Sequence, residues 1–232
     1  MRVDLAAAGS LAAWCAPAAA PVAPFVAAAF RIPRRLEPPT GISITFDDGP
    51  HRQGTPAVLG ELERAGARAT FFLVGEQVER EPALAAEIAA AGHEIAIHGY
   101  RHVLLFRRSP RALRADFERA AEVIAVATGV EPRVYRPPYG VFSAPALLLV
   151  RRLGWQPLLW SRWGKDWEAR TTPEEIAARS TRNLTGGDVV LLHDADHYSS
   201  ADSWRRTVAA LPSILAASAA TGEPFVTASQ ST

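Results

Sequence analysis

The 232-residue chain carries a formal net charge of +1, with 48% hydrophobic and 21% charged residues. That balance supports a sizeable core and excludes a broad electrostatic affinity for nucleic acid, while the length suits a single α/β barrel. The single cysteine, Cys15, excludes an internal disulfide and any cysteine-rich metal site.

From Leu5 to Phe30 no residue is charged, a span long enough to cross a bilayer. Its alanine content and the prolines Pro17, Pro21 and Pro24 work against a membrane helix. Arg2 is offset by Asp4, a weak start for an export signal, and Trp14 is a poor neighbour for lipid attachment at Cys15. Arg31, Arg34 and Arg35 follow the apolar run and would favour a cytoplasmic face. A signal, a membrane anchor and an arm packed on the domain therefore all stay open. The balance leans towards an exported or membrane-associated protein over a cytoplasmic one, with membrane contact through residues 5–30. Glu37-Pro38-Pro39-Thr40 reads as a linker, so residues 1–40 form an apolar N-terminal segment and residues 41–232 the folded domain.

Strand-like and helix-like stretches then alternate. An apolar run at 41–46 predicts a buried strand, and Val58, Leu59 and Leu62 place a helix over 55–65 that stops at Gly66. Residues 69–74 form a second strand, 82–91 a helix ending at Gly92, and 94–97 a third strand. Ser109 and Pro110 open a long amphipathic helix to about Thr128. Further strands are expected at 134–135, 155–161, 189–192 and 224–227. Helices are expected at 144–153, from Thr172 to a stop near Gly186, and at 203–220. This alternation argues for parallel strands in an α/β architecture. Asp47, Asp48, His98, Arg136, Asp166 and His193 all fall where strands end, the edge of a βα barrel on which sites are built.

The chemistry gathers around Ile44-Thr45-Phe46-Asp47-Asp48-Gly49-Pro50, a core strand that ends in two adjacent carboxylates. Such a pair needs cationic compensation, although Asp-Gly-Pro is also an ordinary turn. His98-Gly99-Tyr100-Arg101-His102 spaces two imidazoles so that both can face one ion, and either Asp47 or Asp48 can add a carboxylate. Two histidines and one acid are a common catalytic set for zinc or a similar divalent metal.

Together with Arg136-Pro137-Pro138-Tyr139-Gly140, Asp166-Trp167 and Leu191-Leu192-His193, in this order, these motifs resemble the polysaccharide deacetylase family. The family is also called the NodB-homology domain or carbohydrate esterase family 4, and the resemblance spans about 41–227. It implies a distorted (β/α) barrel of about seven parallel strands with outer helices, and removal of N-acetyl groups from an N-acetylated glycan or small sugar. By the same resemblance Asp48, His98 and His102 hold a divalent metal, most often Zn2+, with Co2+, Ni2+ or Mn2+ as alternatives. Asp47 is the general base, Arg136 its partner, the Tyr139 backbone N–H an oxyanion donor, and His193 the general acid oriented by Asp166. Leu191, Trp167 and Trp163 line the substrate side.

Two positions depart from the family pattern. Gly99 stands where the second motif usually has Ser or Thr, removing one loop hydrogen bond, and Trp163 replaces an acid in the fourth motif. Trp155 and Trp160 read as core, and Trp204 as a helix-packing or cleft residue. His193-Asp194-Ala195-Asp196-His197 reads as a polar loop after a core strand, or as part of a second metal position. The latter underlies a rival reading, a two-metal phosphoesterase using Asp47, Asp48, His98, His102, His193 and His197. A carbohydrate-binding protein with a dead site is the third.

Overall fold

The structure, a computed structural model, describes residues 14–229. In chain order its elements are α1 (Pro24–Ala29), β1 (Ser43–Asp47), α2 (Gly54–Arg64), β2 (Ala69–Leu73), α3 (Gly75–Arg80), α4 (Pro82–Ala90) and β3 (Glu94–Ile97). They continue with α5 (Pro110–Thr128), β4 (Val134–Tyr135), α6 (Ala144–Arg152), β5 (Gln156–Pro157), β6 (Arg162–Trp163), α7 (Pro173–Thr181), β7 (Val189–His193) and α8 (Ser203–Ala219).

The seven strands form one sheet in the order β5-β4-β3-β2-β1-β7-β6, every pair parallel. All five residues of β1 and of β2 are buried, as expected of central strands covered on both faces. Ile44, Phe46, Phe71, Leu73, Val190 and Leu192 are fully buried and supply much of the core. On the longest helix the Ser109 hydroxyl accepts from the Ala112 N–H at 3.3 Å, and Gly129 ends the helix at φ 71°. The Ser109 cap was legible in the sequence, and the helix ends at Thr128 as expected.

Two expected strands are corrected. The stretch 155–161 is not one strand: β5 and β6 lie on opposite edges of the sheet. Residues 158–161 cross between those edges, with the Leu158 N–H donating to Tyr135 O and the Ser161 N–H to Val189 O, both at 3.0 Å. The sheet is thereby curled into a distorted barrel. The apolar and aromatic residues made a continuous strand attractive, but closure needs the chain to change partners midway. The expected strand 224–227 is reduced to one bridge, Phe225 with Ile42. Helix α3, between β2 and α4, was not anticipated: it has no side-chain cap and only six residues.

The described part of the N-terminal segment packs along the barrel. Ala20, Ala27, Ile32 and Leu36 are buried in the common core. Leu159 donates its N–H to Pro33 O at 2.9 Å, and Arg34 Nε donates to Trp160 O at 3.0 Å, so this arm lines the gap between β5 and β6. Residues 5–13 of the apolar stretch lie outside the described residues. Among the described residues no helix is long and apolar enough to cross a membrane.

At the base of β7, the fully buried Asp188 gathers the arm and the crossing. It accepts from Arg35 Nη1, from Ser161 Oγ at 2.7 Å, from Arg162 Nε at 3.2 Å and from the Thr185 N–H at 2.9 Å. Asp188→Ala strands these donors, two of them on partly exposed arginines, and should lower the unfolding free energy by about 2–3 kcal/mol. Urea denaturation checks this, and an unchanged midpoint would show that the arm is held by packing alone.

Candidate active site

Strand register assembles the site. Asp47, last in β1, is paired with His193, last in β7, and Trp163 of β6 is paired with Leu191. Ile97 of β3 is paired with Tyr135 of β4, so His98 and Arg136 each begin the loop one residue beyond that pair. Neighbouring strands are about 4.8 Å apart. These side chains therefore meet because their strands end level.

Arg136 is fully buried and donates four hydrogen bonds: to Asp47 Oδ1 at 2.7 Å, Thr45 Oγ1 at 2.8 Å, Leu159 O at 2.9 Å and Leu158 O at 3.2 Å. Its guanidinium also lies 3.9 Å above the Phe72 ring. Burial lowers its pKa, and the charge of Asp47 opposes that shift. A guanidinium stays protonated in proteins, so Asp47 faces a permanent cation. The Arg136 carbonyl accepts from His98 Nδ1 at 2.8 Å. Because a carbonyl can only accept, Nδ1 carries the proton and Nε2 turns a lone pair to the site.

Asp48, His98 and His102 bring one ligand atom each within 4.8 Å of one another, the one such group among the described residues. Asp48 Oδ1 is 3.4 Å from His98 Nε2 and 3.3 Å from His102 Nε2, and it is buried without a hydrogen-bond partner. Burial alone would raise the Asp48 pKa, but His98, His193 and His102 hold its carboxyl well below the usual range. Burial pushes the His102 pKa down to about 4 against the opposing charge of Asp48. An ionised carboxylate, a neutral imidazole and an orphaned oxygen fit a divalent cation, which needs deprotonated ligands. Three protein ligands leave positions open.

His193 Nδ1 donates to Asp166 Oδ1 at 3.0 Å, and its backbone N–H to Oδ2 at 2.7 Å. Thr207 Oγ1, on α8, also donates to Oδ2 at 2.8 Å. Burial depresses the His193 imidazole, but Asp166, and then Asp48 and Asp47, outweigh it and raise the pKa to about 10. Trp167 meets His193 edge-on, with ring centroids 5.5 Å apart.

The adjoining cavity is about 240 Å³ and is lined by the acids and histidines together with Trp160, Trp163, Trp167 and Leu191. Tyr139, Gly140, Tyr198 and Ser199 complete the lining. Tyr139 sits at φ 59°, and its peptide N–H makes no hydrogen bond with the described residues. The anticipated site residues thus all lie at this one cavity or directly behind it.

Sequence reasoning missed Tyr198 and Thr207, which no motif flags. It also missed how the loop copes with Gly99. Gly99 has φ 86°, and a Cβ there would lie 3.3 Å from Arg101 O. Asp116 on α5 accepts from the Tyr100 N–H at 2.9 Å and steadies the loop from behind. His197 is turned away from the triad, with Nε2 donating to Pro50 O at 3.2 Å. Asp194 is buried behind the Asp48-Gly49 turn, where a Gly49 Cβ would lie 2.5 Å from its carboxylate. Trp155 packs on Phe117 and Tyr135, and the buried Trp204 lies against His51. Trp160 is buried but also reaches the cavity.

A carboxylate–histidine triad on a parallel βα barrel, with Asp47 and the Asp166–His193 pair beside it, is the arrangement of a metal-dependent hydrolase. Residues 35–158 match the family described as Polysaccharide deacetylase. The chain is 36% identical over 198 residues to a Bacillus cereus peptidoglycan-N-acetylglucosamine deacetylase, covering 82% of this chain and 86% of that one. A crystal structure of a peptidoglycan N-acetylglucosamine deacetylase bound to an N-oxidanyl-benzamide superposes with a TM-score of 0.77 at 29% identity, covering 82% and 87% of the two chains. A family 4 acetyl xylan esterase from Clostridium thermocellum, solved with cobalt, gives 0.73 at 28% identity, covering 82% and 88%. The chain belongs to the polysaccharide deacetylase family and is a carbohydrate deacetylase dependent on a divalent metal.

Arg136→Lys tests the centre of this arrangement. A single ammonium cannot reach Asp47, Thr45 and two carbonyls at once, so stability should fall by about 3 kcal/mol or more. Denaturant titration measures it, and a loss below about 1 kcal/mol would show the four bonds to be dispensable.

Proposed function

We propose that the chain hydrolyses the acetamido group of N-acetylated sugars, with Asp47 as general base, His193 as general acid, and Asp48, His98 and His102 as the metal ligands. The observation that carries this reading is the paired placement of Asp47 and His193 on adjacent strands, on either side of the triad. Zinc is the metal this donor set suits best, and cobalt or nickel would also be accepted. When bound, the metal supplies Lewis acidity towards the amide carbonyl and an attacking water.

The protein groups divide the proton work. Arg136 occupies Asp47 Oδ1, which leaves Oδ2, 3.8 Å from His98 Nε2, to take a proton from the water as it attacks the carbonyl carbon. The Tyr139 N–H is free for the carbonyl oxygen as negative charge builds there. His193 has Nδ1 committed to Asp166, so its Nε2–H protonates the departing nitrogen as the C–N bond breaks. The products are acetate and a free amine. Leu191 offers an apolar contact for the acetyl methyl, and Trp163 and Trp167 offer ring faces to the sugar.

Acetate release from a panel of N-acetylated glycans, with and without chelator, tests the reading. Release is expected only with metal. Phosphate release from phosphoesters instead would return the two-metal alternative. Asp47→Asn should retain one metal per chain but lower kcat about 10²–10⁴-fold, because an amide cannot accept the proton. An empty site in that variant would exchange the roles of Asp47 and Asp48.

The pH profile isolates His193. A general acid must be protonated, so activity is lost as pH rises through its pKa. Asp166 raises that pKa by charge and hydrogen bonding, and this contribution persists when a cation neutralises Asp48. Asp166→Asn removes the charge, so the alkaline limb should move to lower pH by a unit or more. An unmoved limb would take the acid role from His193.

A further inference from the structure

The two histidines of the metal triad are held in different ways. His98 is oriented conventionally, through its Nδ1 hydrogen bond to the Arg136 carbonyl. His102 has no equivalent: its Nδ1 is buried and bonds to none of the described residues. Yet its Nε2 must face Asp48 for the triad to close.

Aromatic rings fix the His102 plane instead. Tyr198 stacks flat on the imidazole, with centroids 4.2 Å apart and an interplanar angle of 9°. Tyr139 meets it edge-on at 4.4 Å and 65°. The Tyr198 hydroxyl is itself pinned, donating to Glu76 Oε1 at 2.7 Å and accepting from Gln77 Nε2 at 2.8 Å. Both partners lie on α3. The same helix donates its Gly75 and Glu76 N–H groups to the carbonyls of Gly99 and Tyr100, at 2.9 Å each, within the histidine loop. The loop that carries His102 and the ring that orients it are thus referenced to one short helix.

We propose that Tyr198 is a positioning residue for the metal, its ring holding the His102 imidazole in the plane that a hydrogen bond to Nδ1 would otherwise set. The inference rests on the assignment of Asp48, His98 and His102 as ligands. Removal of partners that orient metal-bound histidines typically costs 10–100-fold in metal affinity, and the stacked ring should act on that scale. The hydroxyl acts one step further out, by fixing the ring.

Zn2+ affinity, measured by competition with a chromophoric chelator on the full chain, tests the proposal. Wild type should bind one Zn2+ per chain. Tyr198→Ala should bind about tenfold or more weakly, and Tyr198→Phe, which keeps the stack but loses both hydroxyl bonds, only a few-fold more weakly. The visible spectrum of the Co2+-loaded Tyr198→Ala protein should also change, since His102 would coordinate at a different angle. If wild type binds no metal, the ligand assignment itself fails. If wild type binds and Tyr198→Ala binds equally well with an unchanged Co2+ spectrum, the positioning role fails. A rise in KM at unaltered Zn2+ affinity would likewise overturn it, by making Tyr198 a sugar contact. Should Tyr198→Ala not fold, Tyr198→Leu, which keeps bulk without a stacking face, gives the same readings.

Discussion

One buried guanidinium organises this molecule. Arg136 projects from the end of an interior strand and is the largest fully buried side chain among the described residues. A buried cation is tolerated only when it is paired and hydrogen-bonded. Its four bonds divide between two structural tasks. Thr45 and Asp47 fix it to the central strand, and Leu158 and Leu159 fix it to the segment that crosses between the sheet edges. Its carbonyl sets the tautomer of His98. Barrel closure, the aim of Asp47 and the orientation of His98 therefore share one residue. The conformation of 158–161 is structurally inseparable from the chemistry, although none of those residues carries a reactive group.

The other half of the site is built by strand register. Parallel pairing places Asp47 beside His193, and each is secured by a partner of opposite charge lying behind it, Arg136 for one and Asp166 for the other. The two supports place opposite charges behind neighbouring side chains. The buried Asp166 carboxylate favours the imidazolium of His193 against the burial that depresses it. The contrast between Asp47 and His193 is thus built into the level strand ends and the charges behind them.

Much of this was legible in the sequence because it is local. Apolar runs bounded by Gly, Pro and polar residues located the central strands, and Ser109 and Pro110 marked the start of the longest helix. The motifs sit at strand ends, so their convergence followed from parallel alternation. What escaped notice depends on contacts distant in sequence. Nothing in 155–161 announces that the chain leaves one sheet edge and joins the other, because each half has a proper strand composition. Tyr198 reads as one polar aromatic in a polar loop until His102 is found stacked against it. Asp116 lies mid-helix, where an acid is ordinarily solvated, yet it is buried and caps the histidine loop. Trp163 remains the departure whose consequence is most direct. Its ring sits between Trp160 and Trp167, so an aromatic wall stands where the family pattern has a carboxylate.

The adjacent acids show why local legibility has a limit. Successive side chains of a strand point to opposite faces, so two neighbouring carboxylates on a continuing strand could not serve one site. Asp47 keeps strand geometry and points at Arg136. Asp48 abandons it, with φ 79°, a left-handed conformation uncommon for a residue with a side chain. That turn, with Gly49 packed tightly on Asp194 behind it, swings the Asp48 carboxylate to the same side as Asp47 and into reach of both histidines. Such backbone conformations cost of order 1–3 kcal/mol and persist only where the surroundings enforce them. Here the enforcing groups are the Asp194 carboxylate behind Gly49 and the Thr55 hydroxyl that bonds to it. Asp194, whose loop reads as a candidate second metal position, is instead buried behind the Asp48-Gly49 turn, as part of the scaffold that brings two adjacent carboxylates to one side of the sheet's edge.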